Sequence, residues 1–398
     1  MAAFFPVFFK EYWSAGADVT MSTFKLGMAN SLASVIVALS SPLIGAIADR
    51  GGIKKRLLFF FAMLGIVMTG SLYFIQRGDW VMAVSLYIIS TVGFMGGNVF
   101  YDSLIVSVAK PKSMNFISSL GFSLGYLGGG LLFAIIVWMI MRPATFGLSS
   151  SNDALRISFV MVAVWWAVFS IPIFLFVKEP ESDVKTTGWR CVTEGFAQLK
   201  STLSEARRMR VVFLFLIGYW LYIDGVDTMV RMSIDYGMSI GFDSKSLMGA
   251  LLITQFVGVP ATILMGKVGD WIGTKNGIYI GIATYLGITI FAYGMESVKD
   301  FYVLAVAVGL VQGGIQSLSR SFYTTIIPKN KSAEFFGLYN MLGKLAAVLG
   351  PMMIGWVSVL SGSPRLSILP LMLLFISGGV VLYFVDEKEG KRMARELE

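Results

Sequence analysis

The stretch Gly45-Ala-Ile-Ala-Asp49-Arg50-Gly51-Gly52-Ile53-Lys54-Lys55-Arg56 sits in a short turn between two long apolar runs. It sets down a glycine, three small or apolar residues, an Asp-Arg pair, a glycine turn and then a basic cluster. A weaker copy stands about half a chain later, at Gly266-Lys-Val-Gly-Asp270-Trp-Ile-Gly273-Thr-Lys275, and it too closes an apolar run. One copy alone would be a suggestive motif. Two in register point to a chain built from two related halves.

Composition sets the class. The 398 residues are 56% hydrophobic and only 14% charged, with a mean hydropathy of +0.74. A water-soluble protein could not hide that much apolar surface, and the apolar residues fall in runs of about 20, enough to cross a hydrocarbon core of ~30 Å. The expected fold is all-α, a polytopic membrane protein. With no histidine, His-based triads, zinc ligands and proton relays are excluded, and the single Cys191 excludes an internal disulfide or multi-cysteine metal site. No cofactor-binding or metal-binding pattern is found.

The apolar runs place membrane spans 2 to 6 at about 23–48, 57–76, 80–108, 114–141 and 156–177. Spans 7 to 12 follow at about 211–236, 246–266, 276–295, 300–327, 334–360 and 366–385. Met1 to Phe9 is apolar but too short to span. It reads as the distal half of a first helix whose beginning precedes this chain, with an eleven-span protein as the alternative. The expected organisation is an N-terminal bundle 1–177, a linker 178–210, a C-terminal bundle 211–385 and a tail 386–398. Of the 32 Lys and Arg, 21 lie in the linker, the tail and the loops after even-numbered spans, against 7 in the opposite loops. That bias places linker and tail in the cytoplasm and explains the net charge of +8 without nucleic acid. Within the linker, Val192, Phe196, Leu199 and Leu203 recur at helical spacing, which fits either a helix on the membrane surface or a solvated tether. The ladders Gly121, Gly125, Gly129 and Gly273, Gly277, Gly281 are expected to serve close helix packing, and Gly350-Pro351 a kink in span 11.

The paired loop resembles the gating loop of the major facilitator superfamily of secondary transporters. Further blocks narrow the resemblance: Phe5-Pro-Val-Phe-Phe-Lys-Glu-Tyr12, Gly121-Phe-Ser-Leu-Gly-Tyr-Leu-Gly128, Gly313-Gly-Ile-Gln-Ser-Leu-Ser-Arg-Ser321, and Glu334-Phe-Phe-Gly-Leu-Tyr339 followed by Gly343-Lys344. Together they resemble the fungal autophagy-related vacuolar efflux permeases and their bacterial relatives, over essentially the whole chain. The resemblance implies two pseudo-symmetric six-helix bundles and a bacterial inner-membrane location. It also implies a cytoplasmic gating loop of Gly45, Asp49, Arg50, Gly266, Asp270 and Gly273 that latches one conformation. Amino acids are the solute class suggested by the fungal members. A Tyr-Asp-x-Ala-Asn-Ser-like stretch usual early in the first helix lies before this chain begins.

Charges inside a bilayer are costly and so mark candidate sites. Asp224, Asp227, Arg231 and Asp235 are spaced to share one face of span 7. Arg231 is in reach of Asp227 and Asp235, which leaves Asp224 as the acid without an intrahelical partner and the better titrating group. Asp102, Gln312, Gln316, Arg320 and Lys344 complete the substrate or coupling-ion candidates. Both an Asp102–Lys344 and an Asp224–Arg320 ion pair are compatible with the sequence. The reading is a secondary transporter of a small polar solute, coupled to protons or sodium, a monomer in the lipid bilayer with no nucleic-acid partner and no enzymatic role. No phosphate-cradling GxxxxGK[ST] loop supports ATP-driven transport. A membrane enzyme acting on lipid, or a receptor or scramblase on the same scaffold, stands as the alternative.

Overall fold

The computed structural model describes residues 5, 8–13, 19–179, 209–242, 244–345, 349–363 and 365–397. Among them every long element is a helix and there is no strand. Among the described residues, ten helices are long and apolar enough to cross a membrane. Many of their large apolar side chains face outward, including Phe169, Leu175 and Phe176. Apolar exposure on that scale suits lipid contact and would aggregate in water.

The first five helices are α1 (Val19–Gly51), α2 (Lys54–Ser71), α3 (Trp80–Ser103), α4 (Met114–Met141) and α5 (Ser151–Phe176). Then come α6 (Arg210–Ser239), α7 (Ser244–Ile272), α8 (Thr274–Tyr293) and α9 (Val298–Ile326). The last four are α10 (Ser332–Leu345), α11 (Leu349–Ser361), α12 (Leu371–Tyr383) and α13 (Glu387–Glu396). Their starts follow local chemistry. Ser297 and Asp300 form a capping box ahead of α9, and Asp386 accepts the Lys388 and Glu389 amides at the start of α13. Those two amides, the larger one from Glu389, hold the Asp386 carboxyl below the usual carboxylate range.

The chain groups into two compact units that do not follow sequence order. One takes Met1–Val108, Leu132–Leu199 and Ala333–Met341; the other takes Ala109–Leu131, Lys200–Ser332 and Leu342–Glu398. Each unit thus borrows one short segment from the opposite half of the sequence: the start of α10 in the first, the first half of α4 in the second. In the first unit Phe5, Phe8, Phe9 and Trp13 are buried among Leu72, Ala83, Ile136 and Phe159.

Several sequence-based boundaries shift. Span 4 stops at Ser103 and a separate short helix, Ile105–Val108, follows. Span 11 is described on either side of residues 346–348, as α10 and α11, and the stretch leading into Gly350-Pro351, where the expected kink would lie, falls outside the described residues. The second glycine ladder packs as expected, with Gly277 against Leu318 and Gly281 against Ile315. In the first, nothing lies within 4 Å of a Cβ built at Gly125 or Gly129, so those two positions do not pack closely. The linker helix falls outside the described residues.

Candidate functional site

The Gly45–Arg56 loop ends α1 and starts α2, turning at Gly52, whose φ of +57° favours glycine. Gly45 lies where the start of α10 crosses α1: a Cβ there would stand 2.8 Å from the Ala333 carbonyl carbon. That close approach lets Asp49 accept the Glu334 amide at 2.8 Å. Asp49 also pairs with Lys54 at 2.6 Å, both side chains being only 6% exposed. Its carboxylate is buried and neutralises both a lysine and the positive end of α10. Glu179 accepts the amides of Lys54 and Lys55 at the start of α2, and Lys55 Nζ closes the end of α5 on the Phe174 and Val177 carbonyls. Arg50 is half-buried beside this cluster.

The second copy repeats the geometry with milder chemistry. Gly273 turns with φ +96°, and Gly266 lies against α4, where a Cβ would be 3.2 Å from the Asn115 carbonyl oxygen. Asp270 is exposed and accepts from Asn115 Nδ2 at 2.9 Å. Asn115 also bonds Thr274 and Ser321. Lys275 Nζ closes the end of α12 on the Tyr383 and Val385 carbonyls, as Lys55 does for α5. A neutral asparagine stands where the first copy meets a helix N-terminus with a buried ion pair.

The remaining candidates separate. Arg320 is buried and donates to Ser118, through Nε to the hydroxyl at 3.0 Å and through Nη2 to the carbonyl at 2.9 Å, with Phe122 under the guanidinium. It does not pair with Asp224. That carboxylate is fully buried and accepts from the amides of Leu349 at 3.1 Å and Gly350 at 3.0 Å, and from Thr228 at 3.1 Å. Asp224 therefore does have a partner on its own helix, Thr228, besides the two amides of α11. Asp227 stands 4.0 Å from Arg231, as the i+4 spacing implies. Asp102 accepts from Asn340 at 3.3 Å, while the side chains of Lys344 and Asp235 lie outside the described residues. Gln312 and Gln316 are half-buried on α9. Sequence reasoning missed Lys54, Asn115, Glu179, Glu334 and Asn340. A usable signal was present, since Lys110-Pro-Lys-Ser113 before α4 echoes Pro328-Lys-Asn-Lys-Ser332 before α10.

Two solved transporters share this architecture. The proton:xylose symporter XylE superposes with a TM-score of 0.73 at 15% identity, covering 100% of this chain and 94% of its own. FucP, in its outward conformation, gives 0.69 at 12% identity, covering 97% of each. The apolar helices and the doubled loop define a transporter of the major facilitator superfamily. Residues 13–395 match the family described as vacuole effluxer Atg22 like, and the chain belongs to that family. The MFS-type transporter YxiO of Bacillus subtilis (strain 168), which carries the description uncharacterized, is 37% identical over 99% of this chain and 92% of its own. Autophagy-related protein 22 of Yarrowia lipolytica is 26% identical over 96% of this chain and 78% of its own.

Proposed function

We propose that this transporter moves a small polar solute, an amino acid by analogy with the fungal efflux relatives, by alternating access coupled to a proton or sodium ion. The observation that carries the reading is the pair of gating-loop contacts, Asp49 on α10 and Asn115 on Asp270. Each ties a loop from one half of the sequence to a helix start from the other. Contacts of that kind, made in one conformation and lost in another, are what a two-state carrier needs. The amino-terminal bundle 1–177 and the carboxy-terminal bundle 211–385 are the two moving bodies in this proposal, joined by the linker 178–210. The working unit is a monomer in the bacterial inner membrane.

The direct test is flux. Purified protein in sealed liposomes, offered a panel of radiolabelled amino acids under an imposed proton or sodium gradient, should accumulate at least one uphill. Absence of uptake and of counterflow across the panel would defeat the amino-acid reading. Orientation has its own check. With Cys191 replaced by serine, a cysteine introduced at Arg392 of α13 should resist an impermeant thiol reagent in intact cells and react after lysis. Labelling from outside would reverse the topology.

A further inference from the structure

Helix α4 runs unbroken from Met114 to Met141, yet its two halves are packed into different units, with the division between Leu131 and Leu132. The first half is sewn to α7 and α9 by short polar bonds along one face. Ser118 Oγ donates to the Ser317 carbonyl at 2.7 Å, and Ser119 and Ser317 share a hydrogen bond at 2.9 Å. Ser123 Oγ donates to the Val259 carbonyl at 2.7 Å, and the ring of Tyr126 lies against Gly258 and Gly313. The second half is held differently: Leu132 and Ile136 are buried in a core with Phe5, Phe8, Trp13 and Phe159. Between the polar seam and the aromatic core stands Gly128-Gly129-Gly130, with Gly125 one turn before.

Glycine is the poorest helix former after proline, so three in a row weaken a membrane helix and call for a reason. Close packing does not supply it. A Cβ at Gly130 would meet the Gln255 Cβ at 3.4 Å, an ordinary contact, and at Gly125 or Gly129 it would have nothing within 4 Å. A second division inside a helix falls between Met341 and Leu342 of α10, and Gly343 follows at once. We propose that residues 125–130 are a flexible joint in α4, where the helix bends as its seam with α7 and α9 opens while its second half stays in the aromatic core. Sharp helix bends concentrate at proline and at pairs of small residues such as glycine, and a hinge needs a few positions that absorb the change in φ and ψ. A rigid helix would have to disturb the core in order to open the seam. A jointed one loses only hydrogen bonds that water can replace. The joint rests on the two-state reading of the carrier, so its test follows opening and not flux.

With Cys191 replaced by serine, Ser123→Cys puts a thiol in the seam, where Ser123 is 1% exposed. Its reaction with a membrane-permeant maleimide in liposomes, without solute, measures how often the seam opens. Gly125→Ala and Gly129→Ala favour the straight helix. Each should raise the melting temperature by roughly 1–3 °C and slow the labelling about fivefold, the pair together by more than about tenfold. Gly287→Ala is the matched control. A Cβ at Gly287 also has nothing within 4 Å, but α8 lies wholly within one unit, so this variant should gain similar stability and label at the unmodified rate. Labelling that the α4 variants and Gly287→Ala change alike, or not at all, would overturn the joint. So would a lower melting temperature in Gly129→Ala, because the closed structure would then itself require the glycine, or a Ser123→Cys protein that never reacts. A protein whose seam opens as expected but which moves no solute would defeat the transport reading alone.

Discussion

Asp49→Ala is expected to lower stability by about 3–5 kcal/mol, the usual cost of removing one partner of a buried ion pair. Lys54 would stay 6% exposed with its short contact gone, and the Glu334 amide at the start of α10 would lose its acceptor. Asp49→Asn should cost less, because its amide oxygen still accepts from Glu334 while only the charge is lost. The sharper result is the double variant. Asp49→Asn with Lys54→Met removes both charges and leaves no buried cation to solvate, so it should recover part of the loss seen with Asp49→Asn alone. Thermal melting in detergent measures all of these. The same series read by thiol labelling of a cysteine at Ser41, buried beneath Gly337 of α10, should show faster reaction as the contact weakens. An Asp49→Ala protein that melts with the unmodified one, with Ser41→Cys still protected, would remove the latch role from this residue.

The glycine positions explain why the loop was readable from sequence. Gly45 and Gly266 recur because helix backbones cross there, against Ala333 and Asn115, and no larger residue fits such a crossing. Apolar runs likewise gave the spans directly, since in lipid the backbone must satisfy itself within the helix. What the pattern could not give was the partner of each charge. Asp224 and Arg320 read as membrane charges able to pair with each other, yet one is met by the amides of α11 and the other by a serine hydroxyl and carbonyl of α4. Backbone amides and carbonyls are present at every residue, so composition and spacing carry no trace of which ones a side chain will meet. The buried side-chain atoms of Tyr285, Gln255, Thr262 and Trp220 that lack a hydrogen-bond partner among the described residues were hidden for a related reason. Tyrosine, glutamine and threonine on a helix look like ordinary packing until the neighbours that fail to pair with them are known.

The Leu349–Gly350 end of α11 should be sensitive to single substitutions, because it rests on one carboxylate and one missing side chain. Asp224→Ala removes the acceptor of two backbone amides and of Thr228, bonds to a charged group worth about 1.5–3 kcal/mol each. Asp224→Asn keeps one acceptor oxygen and should lose roughly half as much. Gly350→Ala acts from the other side: its Cβ would come within 2.7 Å of the Thr228 Cβ and 2.8 Å of Asp224 Oδ1. Overpacking of that kind costs about 1–3 kcal/mol, and here it also pushes the amides of α11 off their acceptor. Thr228→Ala opens the space and should restore part of the stability of Gly350→Ala, a rescue that a general loss of folding would not show. Transport then separates two roles for Asp224. If it only seats α11, uphill accumulation and counterflow in liposomes fall together in Asp224→Asn, in step with the melting temperature. If it carries the coupling ion, accumulation disappears while counterflow survives. Its three fixed donors favour the first outcome, and a selective loss of accumulation in a protein that melts normally would return the coupling role to this residue.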